Sequence, residues 1–318
     1  MRATGAGRCA IYRRLGRLRL IHRFTRADAQ AFMLSLATRA LKLMLSRLFL
    51  VRIILFTLLS VLLGLLACSD RGSPLSAFSA REVVVGGKAY GYRVYAPKNR
   101  DPNTKLPVML FLHGSGARGD DNIAQVDVIA WALEPVKEKI NFIVVVPQCR
   151  ENTFWAAKDM ADYSLAALDA AVNEFNGDTN RLYLAGFSLG GYGVWQIAAA
   201  NPGKFAALVP VAGGVVGERP IEPPDRAAII PSVGTMLDSP EPYQAVAKAI
   251  GQTSVWVFHG AKDDAVPVAF AQRIVQALKE TGSTNVRYTE YPDDGHQIFG
   301  KAIVEPGLLE WLEAQRLP

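Results

Sequence analysis

From residue 82 onward, apolar and polar positions switch repeatedly between the two-residue period of a strand and the 3.6-residue period of a helix. Residues 81–85 and 90–96, separated by Gly86-Gly87, predict an antiparallel hairpin. Residues 108–112 and 142–146 are unbroken apolar runs, the pattern of strands buried on both faces. Between them, 123–139 is helical in parts. The stretch 159–175 carries Met160, Leu165, Leu168, Ala171, Val172 and Phe175 near helical spacing. Strands follow at 181–185, 207–211, 255–258 and 286–291, with helices at 189–201, 268–281 and 303–315. Alternation of this kind implies an α/β class with a mostly parallel central sheet, helices on both faces and an N-terminal antiparallel hairpin. Residues 82–318 suit one such domain and show no internal repeat.

Two segments depart from the rhythm. Residues 213–252 hold six prolines and little periodicity before a short helix at 243–250. A stretch this long without regular structure inside a compact domain is usually functional or disordered. It reads as a lid or substrate-binding insertion, or as a loose surface insertion. Residues 68–81 read as a tether.

Charge alters the picture of the chain ahead of that tether. The formal charge of +6 is unevenly distributed. Residues 1–67 carry 12 Lys/Arg against one acid, Asp28, whereas 68–318 carry 23 Lys/Arg against 28 acids. The folded part is therefore mildly acidic and has no basic cluster, which argues against a nucleic-acid partner. Arg47 and Arg52 precede an uncharged run of 15 residues, 53–67. That is the layout of a secretory signal, and it is short for a spanning helix, which needs about 20 apolar residues. The run ends in Leu65-Leu66-Ala67-Cys68-Ser69, which resembles a bacterial lipoprotein cleavage box with Cys68 as the lipidated residue. Leu66 is bulkier than that box usually has. The expectation is an exported protein of the cell envelope, held to a membrane by its lipid on the periplasmic face or the cell surface. The competing reading is an uncleaved anchor helix with an incidental cysteine. The leader is longer than such signals need, so Met33 or Met44 is a candidate start and residues 1–43 a candidate non-native extension.

Three cysteines supply no disulfide framework: Cys9 is in the leader, Cys68 is the lipid site, and Cys149 reads as core or pocket wall. No His/Cys/carboxylate cluster has metal-ligand spacing, so neither metal nor other cofactor is expected.

The chemistry is carried elsewhere. Gly186-Phe187-Ser188-Leu189-Gly190 is a G-x-S-x-G sequence set between a strand and a helix. Glycines on either side let the backbones pass closely, and the sharp turn leaves the Ser188 hydroxyl at the carboxyl edge of the sheet. A serine hydroxyl needs a base to take its proton. Of four histidines, His22 lies in the leader, and His113 and His259 each end a buried strand before a glycine, where they shape loops. His296, just past the last strand, remains as the base. An acid must orient it, and Asp263-Asp264 after the preceding strand supplies two candidates. Asp263 is chosen, with Asp264 facing solvent or stabilising the loop. Chain order is then Ser188, Asp263, His296.

His259-Gly260-Ala261-Lys262-Asp263-Asp264-Ala265-Val266-Pro267 followed by Gly295-His296 resembles the dienelactone-hydrolase-like and prolyl-oligopeptidase-like esterases of the α/β-hydrolase superfamily. Residues His113-Gly114-Ser115-Gly116-Ala117-Arg118-Gly119-Asp120-Asp121-Asn122 are similar to the H-G-x-G-E-R-G-x-D-N loop of secreted esterases, with Ala117 in place of the Glu. Pro147-Gln148-Cys149, Trp155 and Gly190-Gly191-Tyr192-Gly193 look like the same group. The resemblance implies the α/β-hydrolase fold, and it implies an oxyanion hole from the backbone N–H groups of Leu189 and, most simply, Ser115. Trp155 is a candidate for the substrate pocket and equally for the core. The expected activity is ester hydrolysis on a small-molecule or polymer-linked ester, through an acyl-enzyme. Feruloyl, carbohydrate-linked and polyhydroxyalkanoate esters all remain open. A peptidase with the same triad is the first alternative, although such relatives generally add a propeller domain that 318 residues are too few to hold. A non-catalytic binding lipoprotein is the second.

Overall fold

The computed structural model describes residues 33–34, 37–38, 44, 74–98, 101, 103–217 and 225–318. Two compact units are formed, Met1–Arg71 and Gly72–Pro318. In the first, the described residues are helical and exposed, and the Thr38 hydroxyl donates to the Leu34 carbonyl at 2.7 Å. The segment expected to be an export signal, 53–67, and Cys68 lie outside the described residues. Among the described residues no helix is long and apolar enough to cross a membrane.

The second unit is built on eight strands: β1 (Phe78–Val85), β2 (Lys88–Tyr95), β3 (Leu106–Leu112), β4 (Ile143–Pro147), β5 (Gly177–Phe187), β6 (Ala207–Val211), β7 (Ser254–Gly260) and β8 (Val286–Tyr291). They form one sheet in the order β1-β2-β4-β3-β5-β6-β7-β8. The β1–β2 and β2–β4 pairs are antiparallel, and all the others are parallel. Successive side chains on a strand face opposite sides, so β3 feeds two cores. Val108, Leu110 and Leu112 join one cluster, and Met109 and Phe111 join the other.

The first cluster is covered by α2 (Lys158–Glu174), α3 (Leu189–Ala200), α6 (Pro242–Ile250) and α7 (Val268–Glu280). The second is covered by α1 (Ala124–Leu133), α8 (Phe299–Ile303) and α9 (Leu308–Ala314). Burial on both faces is why β3 and β4 are apolar at every position. Each fully buried Val, Leu or Phe there contributes roughly 1.5–3 kcal/mol.

Three expectations need correction. Residues 74–81 of the expected tether are folded: a 3₁₀ turn at Pro74–Ala77 leads directly into β1 at Phe78, a core residue at 4 % exposure. The closing helix expected over 303–315 is two helices. Pro306 disfavours a helical residue before it, and Gly307 adopts φ +83°, so the chain turns between α8 and α9.

The 213–252 stretch is also more regular than its prolines suggest. It contains α4 (Asp225–Ala228), α5 (Pro231–Leu237) and α6. Pro231 and Pro242 each open a helix, where the missing N–H costs nothing. Its own Val233, Val246, Ala247 and Ile250 are buried. Ile229 bridges to Ala157, and the Ile230 N–H donates to the Ala156 carbonyl at 3.0 Å.

Candidate active site

Parallel strands deliver their carboxyl ends to one edge of the sheet, and three of the loops leaving that edge converge. The first is the corner between β5 and α3. Ser188 sits there at φ +54° and ψ −115°, outside the usual regions for an L-residue, with its N–H donating to the Val211 carbonyl at 2.9 Å. Such a conformation costs on the order of 1–3 kcal/mol and persists only where its surroundings impose it. The flanking glycines are what allow the imposition. A side-chain carbon on Gly190 would run into the Leu112 carbonyl, and one on Gly186 would run into the Gly190 carbonyl.

The second loop follows β8. His296 is held there by Phe187, whose ring centroid lies 5.1 Å from the imidazole. The third follows β7 and carries Asp263. These two loops are stitched by backbone bonds, Ala261 N–H to the Tyr291 carbonyl and Lys262 N–H to the Asp294 carbonyl, both 2.9 Å. Gly260 makes the approach possible, since any Cβ there would strike the carbonyls of Asp294 and Gly295.

The three side chains form a continuous relay. Ser188 Oγ lies 2.8 Å from His296 Nε2, and His296 Nδ1 lies 2.8 Å from Asp263 Oδ2. An ionised carboxylate only accepts, so His296 carries its proton on Nδ1 and leaves Nε2 bare to accept from the serine hydroxyl. Asp263 is 0 % exposed at its side chain. Its other oxygen, Oδ1, accepts the N–H groups of Ala265 at 3.0 Å and Val266 at 2.8 Å. Asp264 is exposed.

Beside Ser188 lies the loop after β3. Ser115 is exposed and starts a short 3₁₀ turn, Ser115–Ala117. Leu189 is the first residue of α3; its N–H is among those at a helix start with no intrahelical carbonyl to bond. His113 anchors the base of this loop. Its Nε2 accepts the Cys149 N–H at 3.0 Å and its Nδ1–H donates to the Gly114 carbonyl at 2.7 Å. Both ring nitrogens are thereby committed with a single proton. Burial pushes the imidazole down to about 4, against a smaller upward pull from the Gly114 carbonyl.

Trp155 requires a correction. It is 1 % exposed and belongs to the core. Its indole N–H donates to the His113 carbonyl at 3.0 Å, and its ring meets His113 edge-on at 4.9 Å. It therefore supports the loop from beneath, the core half of the two roles expected for it. Cys149 is likewise core, with burial pushing its thiol up to about 12.

One residue that the motifs contained without a role is Gln148. It is 3 % exposed, and its side chain accepts the Asn122 N–H at 2.7 Å. It also donates to the Ala117 carbonyl at 3.2 Å and to Asp121 Oδ1 at 2.9 Å. The same Asp121 oxygen caps the start of α1 through the N–H groups of Ile123 and Ala124. The signal was present in the sequence as a polar residue following an all-apolar strand, but the partners come from a segment 26 to 31 positions away.

The mostly parallel eight-stranded sheet with helices on both faces is the α/β-hydrolase fold. Residues 152–306 match the prolyl oligopeptidase family. The chain is 32% identical over 130 residues to a bifunctional acetylxylan esterase/xylanase of Neocallimastix patriciarum, covering 40% of this chain and 18% of that protein. It is 28% identical over 221 residues to an uncharacterized secreted protein of Arthroderma benhamiae, covering 64% of this chain and 22% of the other. The chain thus spans about a fifth of the length of these two relatives. Among solved structures it is similar to a thermostable esterase, with 29% identity and a TM-score of 0.59, over 76% of this chain and 64% of that one.

Proposed function

We propose that this protein hydrolyses carboxylic esters through an acyl-enzyme, with Ser188 as nucleophile, His296 as general base and acid, and Asp263 as the group that orients and stabilises it. The observation carrying this reading is the unbroken relay from Ser188 through His296 to Asp263, at 2.8 Å for each step. His296 takes the serine proton as Oγ attacks the ester carbonyl. The tetrahedral oxyanion is received by the N–H groups of Leu189 and Ser115, and losing one such donor costs roughly 3 kcal/mol of barrier. His296 then protonates the leaving alcohol, and water repeats the sequence on the acyl-enzyme. The esterase relatives support an ester over an amide, and the acetylxylan esterase among them supports a polymer-linked ester as well as a small molecule. The match to the prolyl oligopeptidase family favours peptide bonds as the second reading. Lipid attachment at Cys68, and with it membrane anchorage, completes the proposal.

The test is labelling of the full-length chain with a fluorophosphonate probe, in cells and in detergent extracts. Labelling is expected in the native protein and absent after Ser188→Ala; labelling that survives this substitution would remove Ser188 from the mechanism. A panel of acetyl, feruloyl and p-nitrophenyl esters beside peptide substrates then separates the two readings. Fractionation of the labelled cells tests the anchor, with the signal expected to move from membrane to soluble fraction after Cys68→Ser.

A further inference from the structure

Asp263 has a second histidine. His259, the penultimate residue of β7, is 0 % exposed, and its Nε2 lies 2.9 Å from the Val266 carbonyl and 3.2 Å from Asp263 Oδ2, the same oxygen that receives His296. Both neighbours are acceptors, so Nε2 bears the proton. Nδ1 is buried without a partner. A second proton there would sit in the core with nothing to receive it, at the cost of an unsatisfied and charged buried group. The ring is therefore neutral.

The other charged groups around it are few. His296 shares the carboxylate. Glu290 on β8, paired with His259 across the ladder, has its own carboxylate engaged by the Tyr288 hydroxyl and the Gln272 amide. On the β6 side the ladder runs to the preceding residue, Phe258, through Val211 and Ala212, which carry no charge.

We infer that His259 is a positioning residue for the relay: its neutral Nε2–H, divided between the Val266 carbonyl and Asp263 Oδ2, locks the carboxylate in line with His296. The lock closes on itself. Val266 gives its N–H to Asp263 Oδ1 and its carbonyl to His259, so imidazole, carboxylate and loop backbone form one ring of contacts. A neutral donor suits this place better than a Lys or Arg. It orients the carboxylate without supplying a positive charge that would compete with the imidazolium formed on His296 during turnover. Burial, which pushes the His259 imidazole down from its ordinary value, keeps it in that neutral form.

The inference rests on the proposed triad, and the experiment separates the two. Fluorophosphonate labelling of the native full-length chain comes first: a protein that does not label loses the triad and this inference together. In a protein that labels, His259→Phe is expected to lower kcat by up to about 100-fold, the scale of a misplaced catalytic group, with KM little changed. The acid limb of its kcat/KM profile is expected to move to higher pH, because a carboxylate relieved of one donor holds the His296 imidazolium more tightly. His259→Gln, whose amide N–H reaches the same place as Nε2–H, is expected to restore most of kcat and the native acid limb. Native activity and an unmoved acid limb in His259→Phe would overturn the inference while leaving the triad standing, as would a failure of Gln to rescue. Should the Phe variant not fold, ¹⁵N spectra of histidine-labelled native protein decide. The expected signature is a neutral His259 protonated on Nε2 at pH 7 and above; an Nδ1–H tautomer or a charged ring there would overturn the inference.

Discussion

Backbone groups help to fix both Ser188 and Asp263. The serine keeps its φ of +54° because glycines flank it and its N–H is tied to β6. The aspartate is fully buried at its side chain, yet two backbone amides and the His296 imidazole satisfy it. Its neighbour Asp264 is exposed, and the two differ only in which way the loop turns them. Asp263→Asn is therefore expected to lower kcat by about 10⁴-fold, since an amide facing Nδ1 favours the wrong imidazole tautomer. Asp264→Asn is expected to change kcat by less than about threefold, as befits a surface change. Steady-state kinetics on both variants checks the pair, and the reverse order would exchange their roles. Choosing between the two from the sequence needed a motif; choosing from the structure needs only the burial of one carboxylate.

The loop after β3 shows what strands and helices contribute around those residues. Three buried polar side chains hold it: His113, Gln148 and Trp155, whose indole N–H donates to the His113 carbonyl; the oxyanion role proposed for the loop's amides depends on that support. Gln148→Leu keeps the volume and removes every one of the side-chain bonds. The Asn122 N–H and the Ala117 carbonyl then lose their partners, which costs about 1–3 kcal/mol for each buried group. The expected result is a lower unfolding free energy in urea together with a fall in kcat larger than any change in KM. Native kcat in that variant would show that the loop holds its shape without Gln148. Elements of this length were legible in the sequence, because 3.6- and two-residue periods need several turns or pleats to register. In the 213–252 stretch only the helix at 243–250 was legible; α4 and α5 were not, because four and seven residues give too few repeats and Pro231 reads as a break.

Stability as a whole is linked to pH through His113, which is neutral and buried in the fold but solvated once unfolded. Its native value of about 4 lies below the ordinary 6.5, so between those values the unfolded chain binds the proton and the folded one does not. Stability is then complete above about pH 6.5 and is lost as pH falls toward 4, by on the order of 3 kcal/mol for this group. Urea unfolding between pH 7 and 4 is expected to show that decline, and His113→Gln is expected to make it shallower, leaving the share of His259, whose imidazole burial also pushes down. An equally steep decline in the variant would assign it to other groups.

From its residues alone the chain specified a parallel sheet, a strained serine corner and a histidine and an aspartate at strand ends, because period, glycine placement and loop position are local properties. The 2.8 Å contacts join side chains 108 and 33 positions apart. Those distances, the burial of Asp263, the withdrawal of Trp155 into the core and the second histidine on the carboxylate depend on which strands become neighbours. Only the order of β3, β5, β6, β7 and β8 across the sheet decided that, since proximity between distant segments is a property of packing and not of spacing.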